Sequence, residues 1–315
     1  MGGDLDVVTG AFSHTGRHIA AGLLAEGRRV RTLTRDPDRP SPFGPAVQAL
    51  PLRFDRPDDL ARALDGADTL YNTYWQRFAH GRATFDQAIQ NTETLVAAAV
   101  RAGVRRIVQV SITHADPASP LPYFRGKGLA EKAVRDSGLG YGIVRPAVLF
   151  GPRGIVLEQV AWLCRRLPVF AVFGTGAYPV QPVHVEDLAA LAVRAGRAET
   201  DSVIDAVGPE RYTFEELVRT VGAAVGRVPP IVHLPPRAVA WVGAVGGWIL
   251  GDILISWDEI AGITAGYFAS DAHPTGQVRL GAWLADHGKA LGAGAYPSEL
   301  RRHYRLDAQG PRAPG

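Results

Sequence analysis

Along the first half of the chain, apolar positions come in short blocks whose period switches back and forth. Residues 6–9 set Val7-Val8 ahead of the Gly10 turn and read as a strand. Residues 16–26 carry apolar side chains at helical spacing and stop at Gly27. The same alternation predicts strands over 29–34 and 47–54, a helix over 57–64 and a strand over 69–73. It continues with a helix over 82–102, a strand over 106–110, a helix over 124–136 and a strand over 141–145. Ile107-Val108-Gln109-Val110 is apolar almost throughout, as a strand covered on both faces requires. Strands alternating with helices in this way predict an α/β fold with a parallel sheet between two helical layers.

After Phe150-Gly151-Pro152 the rhythm changes, and Pro, Gly and aromatic residues interrupt the blocks. The expected organisation is a nucleotide-binding core over 1–150, then a smaller lobe over 151–307 that lies above the carboxyl edge of the sheet. A segment at about 180–195 returns to the core, and a Gly/Pro-rich tail over 308–315 is expected to be disordered. Thr213-Phe214-Glu215-Glu216 has the form of a capping box opening a helix. Residues 238–250, AVAWVGAVGGWIL, are the most apolar stretch, too short to span a bilayer and bracketed by Arg237 and Asp252. A buried helix or a wall of the substrate pocket is expected there, in preference to membrane contact.

Composition changes this picture little. The 315 residues are 46% hydrophobic and 21% charged, enough apolar material for a sizeable core. The net charge of +3 is dispersed, with no basic stripe, so no nucleic-acid partner is expected. The single cysteine, Cys164, cannot form an internal disulfide and reads as a small buried helix residue. With no signal-like segment before the first strand, a cytoplasmic protein is expected. His and Cys show no ligand spacing, so no metal is expected. The oligomeric state stays open, a homo-oligomer included.

Candidate chemistry lies first at the turn after the opening strand, Thr9-Gly10-Ala11-Phe12-Ser13-His14-Thr15-Gly16. Glycines six residues apart between a strand and a helix suit a pyrophosphate at the helix N-terminus. The middle glycine of the usual fingerprint is Ser13 here, whose hydroxyl is itself a candidate phosphate donor. The turn residues Thr9, Gly10, Phe12, Ser13, His14, Thr15 and Gly16 are therefore taken as cofactor-binding. At the end of the second strand an NAD enzyme has an acid, about 20 residues further on. This chain has Thr34-Arg35, and the guanidinium suits a 2′-phosphate, so NADP is favoured over NAD. Asp36 becomes the acid if the register slides by two. Asp55 stands where an adenine edge commonly lies.

The second candidate is Tyr123-Phe124-Arg125-Gly126-Lys127, where the spacing sets a phenol and an ammonium on one helical face. With Asn72-Thr73-Tyr74-Trp75 after the fourth strand, Val110-Ser111-Ile112-Thr113 after the fifth, and Arg145-Pro146-Ala147-Val148-Leu149-Phe150-Gly151-Pro152, the chain resembles the short-chain dehydrogenase/reductase superfamily. The likeness is to its atypical or extended branch, which includes NAD(P)H-binding epimerase-like and NmrA-like proteins and relatives of a respiratory complex I accessory subunit. Gln181-Pro182-Val183-His184-Val185-Glu186-Asp187-Leu188 resembles the family's re-entry strand.

The resemblance implies a fold and roles. The fold is a Rossmann doubly wound parallel sheet with a smaller, irregular C-terminal substrate lobe. Tyr123 would be the general acid/base, and Lys127 would hold the nicotinamide ribose and lower the phenol's pKa. Ile112 stands where the family has a hydroxyl, so the group that bonds the substrate oxygen falls to Thr113 or, second, Ser111. Asn72, Thr73 and Pro146 would line the cofactor pocket. Tyr74, Trp75, Phe78, Phe150, Trp162 and Tyr178 are candidates for the substrate side, equally readable as core aromatics.

The expected function is an NADP(H)-dependent oxidoreductase acting on a carbonyl or hydroxyl of a small, hydrophobic molecule. The alternatives are a sugar-nucleotide-type epimerase or dehydratase with bound NAD(P), and a non-catalytic NADP(H)-binding sensor or regulatory subunit.

Overall fold

A computed structural model describes residues 4–81, 83–298 and 300. The first half alternates as its pattern predicts: β1 (Leu5–Thr9), α1 (His14–Ala25), β2 (Arg29–Thr34), β3 (Val47–Pro51), α2 (Pro57–Leu64), β4 (Thr69–Asn72), α3 (Phe85–Arg101), β5 (Arg106–Val110), α4 (Pro122–Arg135) and β6 (Gly140–Pro146). The helix expected from 82 begins at Phe85, because the Thr84 hydroxyl accepts from Gln87 N and caps it. The strand expected over 47–54 stops at Pro51.

The second half is built from β7 (Val148–Phe150), α5 (Ile155–Arg166), β8 (Phe170–Phe173), β9 (Pro179–Val180), β10 (Pro182–His184), α6 (Val185–Arg197), β11 (Ser202–Ala206), β12 (Tyr212–Thr213), α7 (Phe214–Ala224), β13 (Ile231–Leu234), α8 (Pro236–Leu250), α9 (Trp257–Thr264) and α10 (Leu280–His287). The capping box at Thr213 and Glu216 is formed in full. The tail expected over 308–315 lies outside the described residues.

Seven parallel strands make the main sheet in the order β11-β6-β5-β4-β1-β2-β3. The order reverses between β1 and β4, which opens a crevice at the carboxyl ends of those strands. One face is covered by α1 and α6, with Ile19, Leu188 and Ala192 against Val8, Val108 and Val144. On the other face, Leu60, Leu95 and Val134 from α2, α3 and α4 pack over Val7, Leu70 and Ile107.

The return to the sheet comprises α6 on its face and the edge strand β11, preceded by β10, which pairs with β7 outside the main sheet. Arg106, almost wholly buried, fixes it by donating to the carbonyls of Ala195 (2.7 Å) and Thr200 (2.6 Å). The remaining elements enclose a separate core that includes Phe173, Phe214, Leu217, Trp283 and Cys164. Cys164 is a buried free thiol, pushed up to about 11 by burial.

The apolar stretch 238–250 does form a helix, but not a buried one. Only Val239, Gly243 and Gly247 of α8 are buried, while Trp241, Val242, Val245, Trp248 and Ile249 face outward. Pattern alone misjudged this element because its small residues, not its large ones, take the packed side. No helix among the described residues is long and apolar enough to cross a membrane.

Candidate active site

The carboxyl ends of the strands open into a cleft of about 1220 Å³, walled on its far side by loops of the second lobe. At its floor, Gly10 turns the chain with φ of +67°, a left-handed conformation that favours glycine. A Cβ on Gly16 would lie 2.3 Å from the Gly10 carbonyl, so only glycine allows α1 to approach the turn. Ser13 is the N-cap residue, yet its hydroxyl donates to Gly10 O at 2.6 Å and braces the turn instead of capping the helix. Thr9 ties this turn to the end of β4: its hydroxyl accepts from Thr73 N at 2.7 Å and donates to Asn72 Oδ1 at 3.0 Å. The first helical turn carries no acidic side chain, which keeps its N–H groups available to an anion.

Thr34 and Arg35 line the cleft together with Asp36. Three arginines that the sequence did not single out join them: Arg17 on α1, Arg39 after β2 and Arg153 after β7. Partial burial, and then the like charges of Arg153 and Arg39, hold the Arg17 guanidinium below its usual value. Arginines gathered in this way fit a phosphate. Arg153 has φ of +67°, rare for a residue with a side chain. Its loop is pinned over the turn by His14, whose Nε2 lies 3.0 Å from Pro152 O.

Tyr123 and Lys127 of α4 line the same cleft as the glycine turn. The Lys127 ammonium is buried, donates to Val110 O at 3.1 Å and lies 4.7 Å from the centre of the Trp75 ring. Burial pushes its pKa down to about 7, with Glu131 opposing. Trp75 comes this close because residue 126 is glycine; a Cβ there would meet the indole at 3.1 Å. Tyr123 packs edge-on against Trp75 and Phe85. Its backbone N–H donates to Asp258 Oδ2 at 3.0 Å, so a carboxylate of α9 caps the helix that carries the phenol. Burial raises the Asp258 carboxyl, against that bond.

The two hydroxyls expected as alternatives for the substrate oxygen are both engaged. Ser111 lines the cleft but donates to Glu131 at 2.6 Å, within a buried network that Arg145 completes at 2.8 and 2.5 Å. Thr113 donates to Tyr267 O at 2.6 Å and is not on the cleft wall.

Of the other expected residues, Phe12, His14, Thr15, Thr73, Tyr74, Trp75 and Pro146 reach the cleft. Asn72 is buried behind it, donating to Gln109 Oε1 at 2.8 Å. Asp55 is exposed away from it, with Leu52 on the wall instead. Phe150, Trp162 and Tyr178 are not brought there either. Phe150 packs on His184 and Trp283, Trp162 on Tyr296, and Tyr178 stacks on Phe173. Phe78 is buried beneath Arg77. None of the α8 residues lines the cleft, so this helix is not its apolar wall.

The opposite wall is apolar, with Val148, Leu149, Ile155, Val156 and Phe268. After β4, on the side of α4, Trp75 Nε1 and Gln76 Oε1 are buried polar atoms without a hydrogen-bond partner. Such orphaned groups are costly unless a ligand satisfies them. Arg77 donates to Glu259 at 2.7 and 3.0 Å and so joins the end of β4 to α9 across the cleft.

Comparison with known proteins bears on the family and the fold. The profile of a family described as NAD(P)H-binding matches residues 10–156. A (4-alkanoyl-5-oxo-2,5-dihydrofuran-3-yl)methyl phosphate reductase of Streptomyces griseus is 30% identical over 227 residues, 70% of this chain and 74% of that protein. A ceramide reductase of Caulobacter vibrioides is 29% identical over 241 residues, 76% of each chain. Among solved structures, an NADPH-dependent quinone oxidoreductase of Escherichia coli complexed with NADPH superposes with a TM-score of 0.73 at 21% identity, over 89% of this chain and 99% of that one.

Proposed function

We propose that this chain, which belongs to the NAD(P)H-binding family together with the reductases it is similar to, is an NADP(H)-dependent oxidoreductase of the short-chain type that acts on a carbonyl or hydroxyl of a small hydrophobic molecule. The observation that carries the reading is that one cleft holds the Gly10 turn, the Tyr123 phenol and the buried Lys127 ammonium. Bound in that cleft, a nicotinamide supplies or removes a hydride at the substrate carbon.

The protein's own groups do the rest. The N–H groups at the start of α1 hold the pyrophosphate, and Arg17, Arg35 and Arg39 supply the positive field that a 2′-phosphate needs. Lys127 holds the nicotinamide ribose. Tyr123 gives its phenolic proton to the carbonyl oxygen as the alcohol forms, and takes it back in the reverse direction. A hydrophobic substrate would rest on Val148, Leu149 and Phe268, with Trp75 and Gln76 also on the cleft lining.

The test titrates NADPH and NADH by fluorescence and then screens carbonyl turnover with wild type and Tyr123→Phe. Tyr123→Phe should lower kcat by about 100-fold or more while NADPH affinity stays nearly unchanged. Arg39→Ala should weaken NADPH about tenfold and leave NADH nearly unaffected. Binding of NADPH without any Tyr123-dependent turnover would make the chain a cofactor-binding sensor or subunit instead.

A further inference from the structure

α8 is built inside out. Between Ala238 and Leu250 there is no charged side chain, and the residues that reach solvent are the large ones. Trp241, Val242, Val245, Trp248 and Ile249 repeat at i, i+1, i+4, i+7 and i+8, which puts them on one helical face. Trp248 is 85% exposed and Ile249 70%. The packed side is held by glycines: Cβ atoms on Gly243 and Gly246 would strike Ile255 and Leu254 at 2.9 and 2.7 Å. Swapping the two faces would have buried the indoles; instead the fold displays them. Trp257, 52% exposed at the start of α9, adds to the apolar surface the loop carries onward.

Charge selects the occupant. Arg237 stands exposed at one end of the helix. At the other end, Leu300 N donates to Asp252 Oδ1 at 3.2 Å, so the described chain leaves the fold beside the C-terminus of α8. The sequence that follows there, 301–315, has Arg301, Arg302, Arg305 and Arg312 against the one acid Asp307. An apolar, tryptophan-bearing face with Arg237 at one end, on a chain whose sequence after Leu300 is basic, matches a bilayer surface with anionic headgroups. Fifteen helical residues span about 22 Å, short of a bilayer crossing, so such a helix lies in the interface rather than through it.

We propose that the outer face of α8 seats this protein on an anionic lipid surface, with the two indoles at the acyl boundary.

The experiment floats the full chain through a density gradient with vesicles of phosphatidylcholine alone or mixed with phosphatidylglycerol. Wild type should rise with the mixed vesicles and less with the neutral ones, and added salt should reduce the difference. The triple variant Trp241→Ser, Trp248→Ser, Ile249→Ser should lose about tenfold or more of the bound fraction while binding NADPH as wild type does. A second measurement needs no variant: brominated lipid in the mixed vesicles should quench the wild-type tryptophan emission. Wild type that stays in the dense fraction with both vesicles, or a variant that floats equally well, overturns the proposal. So does light scattering that finds a wild-type dimer dispersed by the triple variant, which would assign the face to a second copy of the chain.

Discussion

Two influences act on the Lys127 ammonium. Burial pushes its pKa down to about 7, while the Glu131 charge and the Trp75 ring 4.7 Å away favour the protonated form. In the unfolded chain the same group keeps its proton up to about 10.5. Between those two values the folded protein binds fewer protons than the unfolded one, so this lysine makes stability rise with pH over that window and fall back as pH drops through about 7. Denaturation of cofactor-free wild type and Lys127→Met across the window should show wild type gaining on the variant as pH rises. Parallel curves would mean that the ammonium is solvated in the folded state. That Gly10, Tyr123 and Lys127 belong to segments meeting at one cleft was legible, because local spacing marked each segment. Arg17, Arg39, Arg153 and Asp258 were not. Each reads as a solvated charge in its own segment, and only the crossing of β1, β2, β7 and α9 at one crevice makes them neighbours.

At the scale of elements, the glycine turn and α1 act as one rigid unit. Gly16→Ala sets a Cβ 2.3 Å from a backbone carbonyl that the turn itself holds in place. The expected cost is about 1–3 kcal/mol of stability and at least about tenfold in NADPH affinity. Gly22→Ala, on the same helix, meets only Val193 Cγ2 at 3.4 Å and should be neutral or slightly stabilising. Chemical denaturation and NADPH titration of the pair separate a steric effect at the turn from a general effect on the helix. Elements whose side chains face a uniform neighbour were readable in advance: β1 to β6 of the sheet, though not its edge strand β11, and the start of α7 with its capping box. α8 was not, because hydrophobicity along a helix reports what could be buried and not which side the rest of the fold covers. Ser111 illustrates the same limit, since its hydroxyl is committed to Glu131, twenty residues away in sequence.

Across the whole molecule, polar contacts between the two halves fall in two places: at the buried Arg106, which holds residues 195–200, and around the cleft. Arg77 pairs with Glu259, His14 meets Pro152 O, Thr113 donates to Tyr267 O, and Tyr123 N donates to Asp258. Glu259→Gln weakens the ion pair and the cap of α9 together while leaving the glycine turn alone. Carbonyl turnover should fall about tenfold in kcat/KM with NADPH affinity unchanged, and equal losses in both would refute a division of labour between the halves. The path of the chain has a practical corollary. It leaves the main sheet after β6, comes back through β10, α6 and β11, and departs again after Ala206. A fragment ending near residue 150 would expose Val8, Val108 and Val144 where α6 should lie, and would aggregate rather than bind nucleotide. Grafting the second half of a relative onto this one therefore takes three splice points, not one.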